Sequence, residues 1–155
     1  MEGIQGDALS LLRTAAWYHD LGFIEGPQDH ELTGARIAMQ VLPSFGYHEE
    51  QVEMIQQAIL ATALPQSPQT LLEQSLADAD LDLLGRADFM LLNRSLRREL
   101  SLYGRAFSDR EWYRSQIEFI QSHTYFTASA RNLRDAGHLK NLGKLKKRLE
   151  ILGDA

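Results

Sequence analysis

A histidine followed by an aspartate, His19-Asp20, closes the run Ala15-Ala16-Trp17-Tyr18 and is followed by Leu21-Gly22. Imidazole suits transition metals and carboxylate suits harder ions, so the pair joins two kinds of side chain that hold a divalent cation. Successive helix residues point about 100° apart, which keeps neighbours in mid-helix from sharing one ion. Beside a glycine that stops the helix the backbone is already turning, and both heads can converge. The same dipeptide also reads as a buried, hydrogen-bonded histidine next to a local cap, and by itself it does not choose. A second acidic stretch, Asp78-Ala79-Asp80-Leu81-Asp82, follows later in the chain. On a helix whose apolar face is Leu72, Leu76, Ala79 and Leu83, Asp80 falls at or beside that face. Asp78 and Asp82 form an i,i+4 pair turned more toward solvent. A buried carboxylate without a partner is costly. Asp80 therefore either binds something, a metal ion being one choice, or sits at the exposed rim of the stripe. His30-Glu31 opens a further helix and is placed to face the same cavity, where His30 would hold a phosphate or a second metal. A surface histidine at a helix start is the alternative.

Helices must carry these residues, and almost every segment has helical periodicity. Asp7 is expected to cap a helix ending near Gly22 that bears Leu9, Leu12, Ala15, Ala16 and Trp17. Residues 22–27 form a loop, with Pro27 suited to a helix start. A second helix runs over about 29–42, with Leu32, Ala35, Ile37, Ala38, Met39 and Val41 in or near the core. A third spans about 49–63, a fourth 69–85 and a fifth 88–103. Ser108 and Glu111 make a capping box that starts a sixth. Two shorter helices are expected near 127–135 and 139–152. No alternating strand pattern, internal repeat or low-complexity tract is present. The reading is one all-α domain over 1–155, of seven or eight helices.

The chain has 155 residues, a net charge of −5 and no cysteine. Thiolate zinc sites, disulfides and cysteine nucleophiles are therefore excluded, and a cytoplasmic protein is expected. No apolar run approaches the ~20 residues of a membrane span. Residues 1–85 hold thirteen Asp/Glu against Arg13 and Arg36, and residues 86–155 hold eight against fourteen Lys/Arg. The acidic first half favours cations. The lysines near the C-terminus read as a solvated helix face, and the overall negative charge argues against a nucleic-acid binder. A Gly-rich phosphate loop, a Gly-x-Ser-x-Gly elbow and a His-Glu-x-x-His motif are all missing. Three N/O ligands on two helices leave open positions on an ion, the arrangement of a catalytic metal rather than a structural one. Hydrolysis of a phosphate ester follows from such a site.

The blocks Ala-Ala-Trp-Tyr-His19-Asp20-Leu-Gly-Phe, His30-Glu31 with Gly34-Ala35-Arg36-Ile37-Ala38, Ile59-Leu-Ala-Thr62, and Ala77-Asp78-Ala79-Asp80-Leu-Asp82 resemble, in order and spacing, the HD superfamily of metal-dependent phosphohydrolases. The match covers about residues 8–90, and residues 91–155 are similar to the helical extension of some small members. The resemblance implies an HD-like helical bundle and a divalent metal (Mn, Mg, Fe or similar) held by His19, Asp20 and Asp80, with Asp78 as the fallback. It implies a small phosphorylated substrate, such as a nucleotide, cleaved as a mono- or diester. His30 resembles an additional histidine used for a second metal or for phosphate; Arg36 and Arg86 are further candidates for the phosphate. No membrane partner is expected, and a homodimer is left open. The family's first histidine lies on an earlier helix, and this chain has none before His19. A histidine that many members carry after the Ala-Thr of the third helix is replaced by Ala63-Leu64-Pro65. Either the chain starts inside the domain or the copy is degenerate, a ligand-sensing or regulatory module without catalysis. A site short of one imidazole is expected to bind metal weakly.

Overall fold

The computed structural model describes residues 2–153. Among the described residues it contains seven α-helices and no strand. No helix among them is long and apolar enough to cross a membrane. The helices are α1 (Gly6–Tyr18), α2 (His30–Val41), α3 (Glu49–Leu60), α4 (Leu71–Asp80), α5 (Phe89–Leu102), α6 (Asp109–Ser122) and α7 (Ala128–Ile151), with 3₁₀ turns at Leu21–Ile24, Leu42–Phe45 and Asp82–Gly85. They fall into two compact units, Met1–Asp80 and Leu81–Ala155.

In the first unit, α1 to α4 surround a core that mixes branched residues with alanines. Leu11 and Ala15 of α1 meet Ala35 and Ala38 of α2, Ile55, Ala58 and Ile59 of α3, and Leu72 and Leu76 of α4. The alanines let helix axes approach closely, and the long side chains fill the space between. The small residues of α2, Gly34, Ala35 and Ala38, are its buried stripe. Leu32 (60 % exposed) and Met39 (47 %) therefore lie outside the core in or near which the sequence placed them, and Trp17 of α1 is 83 % exposed. Asp7 is not the cap of α1 either: Gln5 holds that position without a side-chain bond, and Asp7 sits in the first turn. There its charge still favours the helix N-terminus.

The helix expected over 69–85 stops at Asp80, and this changes the reading of its acids. The buried side of α4 is Leu72, Glu73, Leu76, Ala77 and Asp78, not a stripe through Ala79 and Leu83. Glu73 is buried because it caps its own helix, accepting from the Gln69 amide at 2.6 Å and the Thr70 hydroxyl at 2.9 Å. Asp78 is 5 % exposed, so its expected solvent-facing position is corrected.

In the second unit, Leu81, Leu84, Phe89, Ile120 and Leu145 form the core. Helix α7 runs unbroken where two shorter helices were expected. Gly137 does not end it; the residue marks a close approach, since a Cβ there would lie 1.9 Å from the Gly85 carbonyl oxygen. Around that contact α7 holds the 82–85 turn. The buried Asn141 amide donates to the carbonyls of Leu84 (2.9 Å) and Arg86 (2.8 Å), and Arg134 grips both oxygens of Asp82, with Nη2 at 3.1 Å from Oδ2. The Ser108–Glu111 capping box forms as read, Glu111 N donating to Ser108 Oγ at 3.2 Å and Ser108 N to Glu111 Oε2 at 2.8 Å.

Two glycines of α7 give opposite expectations. Gly143 has nothing within 4 Å of a built Cβ, so Gly143→Ala should stabilise by up to about 1 kcal/mol through helix propensity. Gly137→Ala should destabilise by about 1–3 kcal/mol, because backbone at the Gly85 contact has to move. Urea unfolding of the two variants checks the pair, and equal midpoints would refute the close-approach account. Asp82, read from the sequence as turned toward solvent, is instead paired with Arg134, and Asp82→Ala should cost about 1 kcal/mol through that partly buried pair.

Candidate functional site

The two glycines of the His-Asp region set its geometry. A Cβ on Gly22 would lie 1.9 Å from the His30 carbonyl oxygen, so the 3₁₀ turn after α1 rests directly on the first residue of α2. A Cβ on Gly34 would lie 2.6 Å from the Tyr18 carbonyl oxygen and 3.2 Å from that of His19. These contacts bring the end of α1, carrying His19 and Asp20, against the start of α2, carrying His30. Asp29, the residue before His30, has a left-handed backbone with φ of 52°, uncommon for a non-glycine residue. It turns the chain into α2 at that point.

His19 is the C-cap residue of α1, and its Nδ1 donates to the Ala16 carbonyl at 2.8 Å. That bond leaves Nε2 as the nitrogen that faces the acids. Nε2 lies 3.3 Å from Asp20 Oδ2 and 3.6 Å from Asp80 Oδ1. Asp20 also reaches the second histidine, its Oδ1 being 3.6 Å from His30 Nε2. His30 is fixed from its other side by Glu31 Oε2, 3.3 Å from Nδ1, and by a stacked contact with the Phe23 ring at 4.0 Å between centroids. His19, Asp20, Asp80 and His30 therefore form one connected group drawn from α1, α4 and α2. Their side chains range from 20 % exposed at His19 to 59 % at Asp20, so the group opens to solvent on the Asp20 side.

The charge on His19 follows from this geometry. Its pKa is pushed up from 6.5 to about 9, chiefly by Asp80 accepting from Nε2; burial opposes this, and the Ala16 carbonyl and the charges of Asp20 and Asp80 add to it. At 3.6 Å the Asp80 contact is long for a hydrogen bond, so attraction between charges carries much of the effect. With no metal bound, His19 is an imidazolium between two carboxylates at neutral pH.

The donor set suits a divalent cation. Two donors on one ion at about 2.1 Å in tetrahedral geometry lie about 3.4 Å apart, close to the two separations from His19 Nε2. Metal-binding histidines commonly donate their other N–H to a carbonyl or carboxylate, as His19 does to Ala16. Gln66 adds to the site: its amide donates to Asp80 Oδ2 at 3.2 Å and to the Ala77 carbonyl at 3.1 Å, while its own Oε1 is buried without a partner. As the side chains stand, no group of three or more His, Asp or Glu among the described residues could hold an ion. For these residues to hold a cation, the Nε2 proton would have to leave and the carboxylates to turn.

The other sequence candidates lie elsewhere in the hydrogen-bond network. Arg36 donates to Glu25 Oε1 at 2.6 Å. Arg86, in the second unit, pairs with both oxygens of Asp88 at 2.9 and 2.6 Å. Asp78, two residues before Asp80, is about 200° away around α4; Asp80 makes the contact with His19. Gln66 was missed because a glutamine in a proline-bracketed loop carries no spacing signal. Gly22 and Gly34 were legible only as a helix stop and a small residue. No family model, curated protein or solved structure matches the chain.

Proposed function

We propose that the chain is a metal-dependent phosphohydrolase of the HD type, hydrolysing a phosphate mono- or diester, with a nucleotide as the favoured substrate class. The observation that carries the reading is the orientation of His19: Nδ1 is committed to Ala16 and Nε2 is aimed at two carboxylates from different helices. His19, Asp20 and Asp80 would hold the cation, Mn²⁺, Mg²⁺, Fe²⁺ or similar, since mixed N/O ligands do not select among these. When bound, such an ion supplies a water of lowered pKa and neutralises charge on a phosphoryl oxygen.

The protein's own groups have separable tasks in this reading. Ala16 and Gln66 orient the two flanking ligands, His19 and Asp80. His30, held by Phe23 and Glu31 beside Asp20, would donate to a phosphate oxygen. Arg36 would serve the phosphate only after leaving Glu25, and Arg86 only after leaving Asp88. A second reading, a ligand-sensing module without catalysis, draws on the protonated state of His19 and on the need to rearrange before an ion fits.

Hydrolysis of a panel of phosphate mono- and diesters, nucleotides included, with and without added Mn²⁺ tests the proposal. Mn²⁺-dependent turnover that is lost in His19→Ala and Asp80→Ala is expected. Mn²⁺ binding without turnover of any ester would favour the sensing module, and absence of Mn²⁺ binding would reject the phosphohydrolase.

A further inference from the structure

The second unit carries a cavity of its own, about 180 Å³, between α5, α6 and α7. Four cations line it: Arg94 and Arg97 from α5, and Lys144 and Arg148 from α7. No acidic side chain lines it. The spacing explains the convergence. Arg94 and Arg97 share a face of α5 with Asn93, and Lys144 and Arg148, four residues apart, share a face of α7. Like charges at that spacing oppose each other on one helix, and here two such pairs also face one another across a cavity.

Compensation within the unit is incomplete. Arg97 is neutralised by Asp109, at 2.6 Å, and also donates to the Phe107 carbonyl. Lys144 donates only to the neutral Asn141 Oδ1, at 3.0 Å. Arg94 and Arg148 have no ion-pair partner among the described residues. The floor, by contrast, is already satisfied: Trp112 Nε1 donates to Asn93 Oδ1 at 2.8 Å, and the Asn93 amide donates to Gln116. The unused capacity of the cavity is therefore positive charge. The surrounding sequence amplifies it, since Leu81–Ala155 holds fourteen Lys/Arg and nine Asp/Glu, a net +5, in a chain whose total is −5.

We infer that this cavity is a binding site for a small polyanion of the diphosphate class, held by Arg94, Lys144 and Arg148 with Arg97 behind them. Guanidinium groups match phosphate oxygens two at a time, and Lys144 adds a point charge. The cavity is smaller than the ~300–1,000 Å³ of sites that take drug-sized ligands, so a compact anion fits it better than a whole nucleotide. The site uses no residue of the His19 group and does not depend on metal.

Inorganic pyrophosphate is the probe, titrated calorimetrically into the whole chain at low salt with EDTA present, and followed by ³¹P line broadening. Saturable one-to-one binding is expected. Arg94→Gln/Arg148→Gln should weaken it by about tenfold or more, the scale of one or two lost charged hydrogen bonds. Both side chains are exposed and unpaired, so circular dichroism should stay unchanged. Lys140→Gln/Lys147→Gln removes the same charge from exposed positions of α7 outside the cavity and should change affinity by about twofold at most, through the screened field. Asp20→Ala should leave binding unaltered. Absence of saturable binding overturns the proposal. So does equal weakening by the Lys140/Lys147 control, which would mean a diffuse field. Tighter binding of a short single-stranded oligonucleotide through Arg94 and Arg148 would overturn it in favour of a nucleic-acid groove.

Discussion

Gly22→Ala is expected to lower the thermal midpoint of the first unit by about 4–24 °C. A Cβ at this position would sit 1.9 Å from the His30 carbonyl oxygen. The obstacle is backbone at the first turn of a helix, and no rotamer change relieves it. Overpacking of this kind costs about 1–3 kcal/mol, and for a unit of this size each kcal/mol moves the midpoint by about 4–8 °C. The damage should not stop at stability. Moving the 3₁₀ turn off α2 displaces Asp20, so under the proposed metal site the variant should also lose Mn²⁺ affinity at temperatures where it is still folded. Gly34→Ala, with the Tyr18 and His19 carbonyl oxygens at 2.6 and 3.2 Å, should act in the same direction but less strongly. A Gly22→Ala midpoint within a degree or two of the parent protein would refute the account of how α1 and α2 are joined.

Asp80→Asn carries the second large effect, read in two ways. It removes the main support of the His19 charge, so the pKa of His19 should drop from about 9 toward 6.5. It also removes an anionic donor, and Mn²⁺ affinity should fall at least about 10–100-fold. Asp20→Ala should weaken binding on the same scale. The sign of the pH dependence is fixed by the raised pKa. Without metal, the imidazolium pair stabilises the first unit fully below pH 6.5, and that contribution, about 2 kcal/mol after allowance for exposure, is lost as pH rises through 9. Under the proposed metal site, Mn²⁺ binding runs the other way, because Nε2 would first have to lose its proton. Between pH 7 and 9, Mn²⁺ affinity should rise by up to about tenfold per pH unit, with proton release on binding. NMR titration of His19 and calorimetry in buffers of different ionisation heat measure both. An Mn²⁺ affinity flat over that range would remove His19 from the ligand set.

The helical class was legible because apolar residues recur at helical spacing in every segment, and the Ser108–Glu111 box located α6 to the residue. The group of His19, Asp20, Asp80 and His30 was legible in residue type but not in arrangement. Nothing in the sequence says that α4 ends at Asp80. The stripe Leu72, Leu76, Ala79, Leu83 is a good helical pattern, yet it continues past the break at Leu81 and so put Asp78 on the wrong side. Leu32 and Met39 illustrate a related failure: periodicity marks apolar faces, but Gly34, Ala35 and Ala38 bury a face of α2 that hydrophobicity ranks lower. Gly137 was invisible as an interior helix residue because its role depends on Gly85, more than fifty residues away in sequence. Contacts of that kind are tertiary, and local spacing does not encode them.

The chain's two tryptophans, one in each unit, differ completely in surroundings: Trp17 is 83 % exposed and Trp112 is 3 % exposed. An indole that already faces water has little further to redden when its surroundings melt, whereas one buried beside Asn93 shifts strongly. Intrinsic emission is thus a gauge of Leu81–Ala155 and nearly blind to Met1–Asp80. Far-ultraviolet ellipticity weighs all seven helices. A wavelength curve that lags or leads the ellipticity curve would therefore mean that the halves come apart separately, and coincident curves that they melt as one.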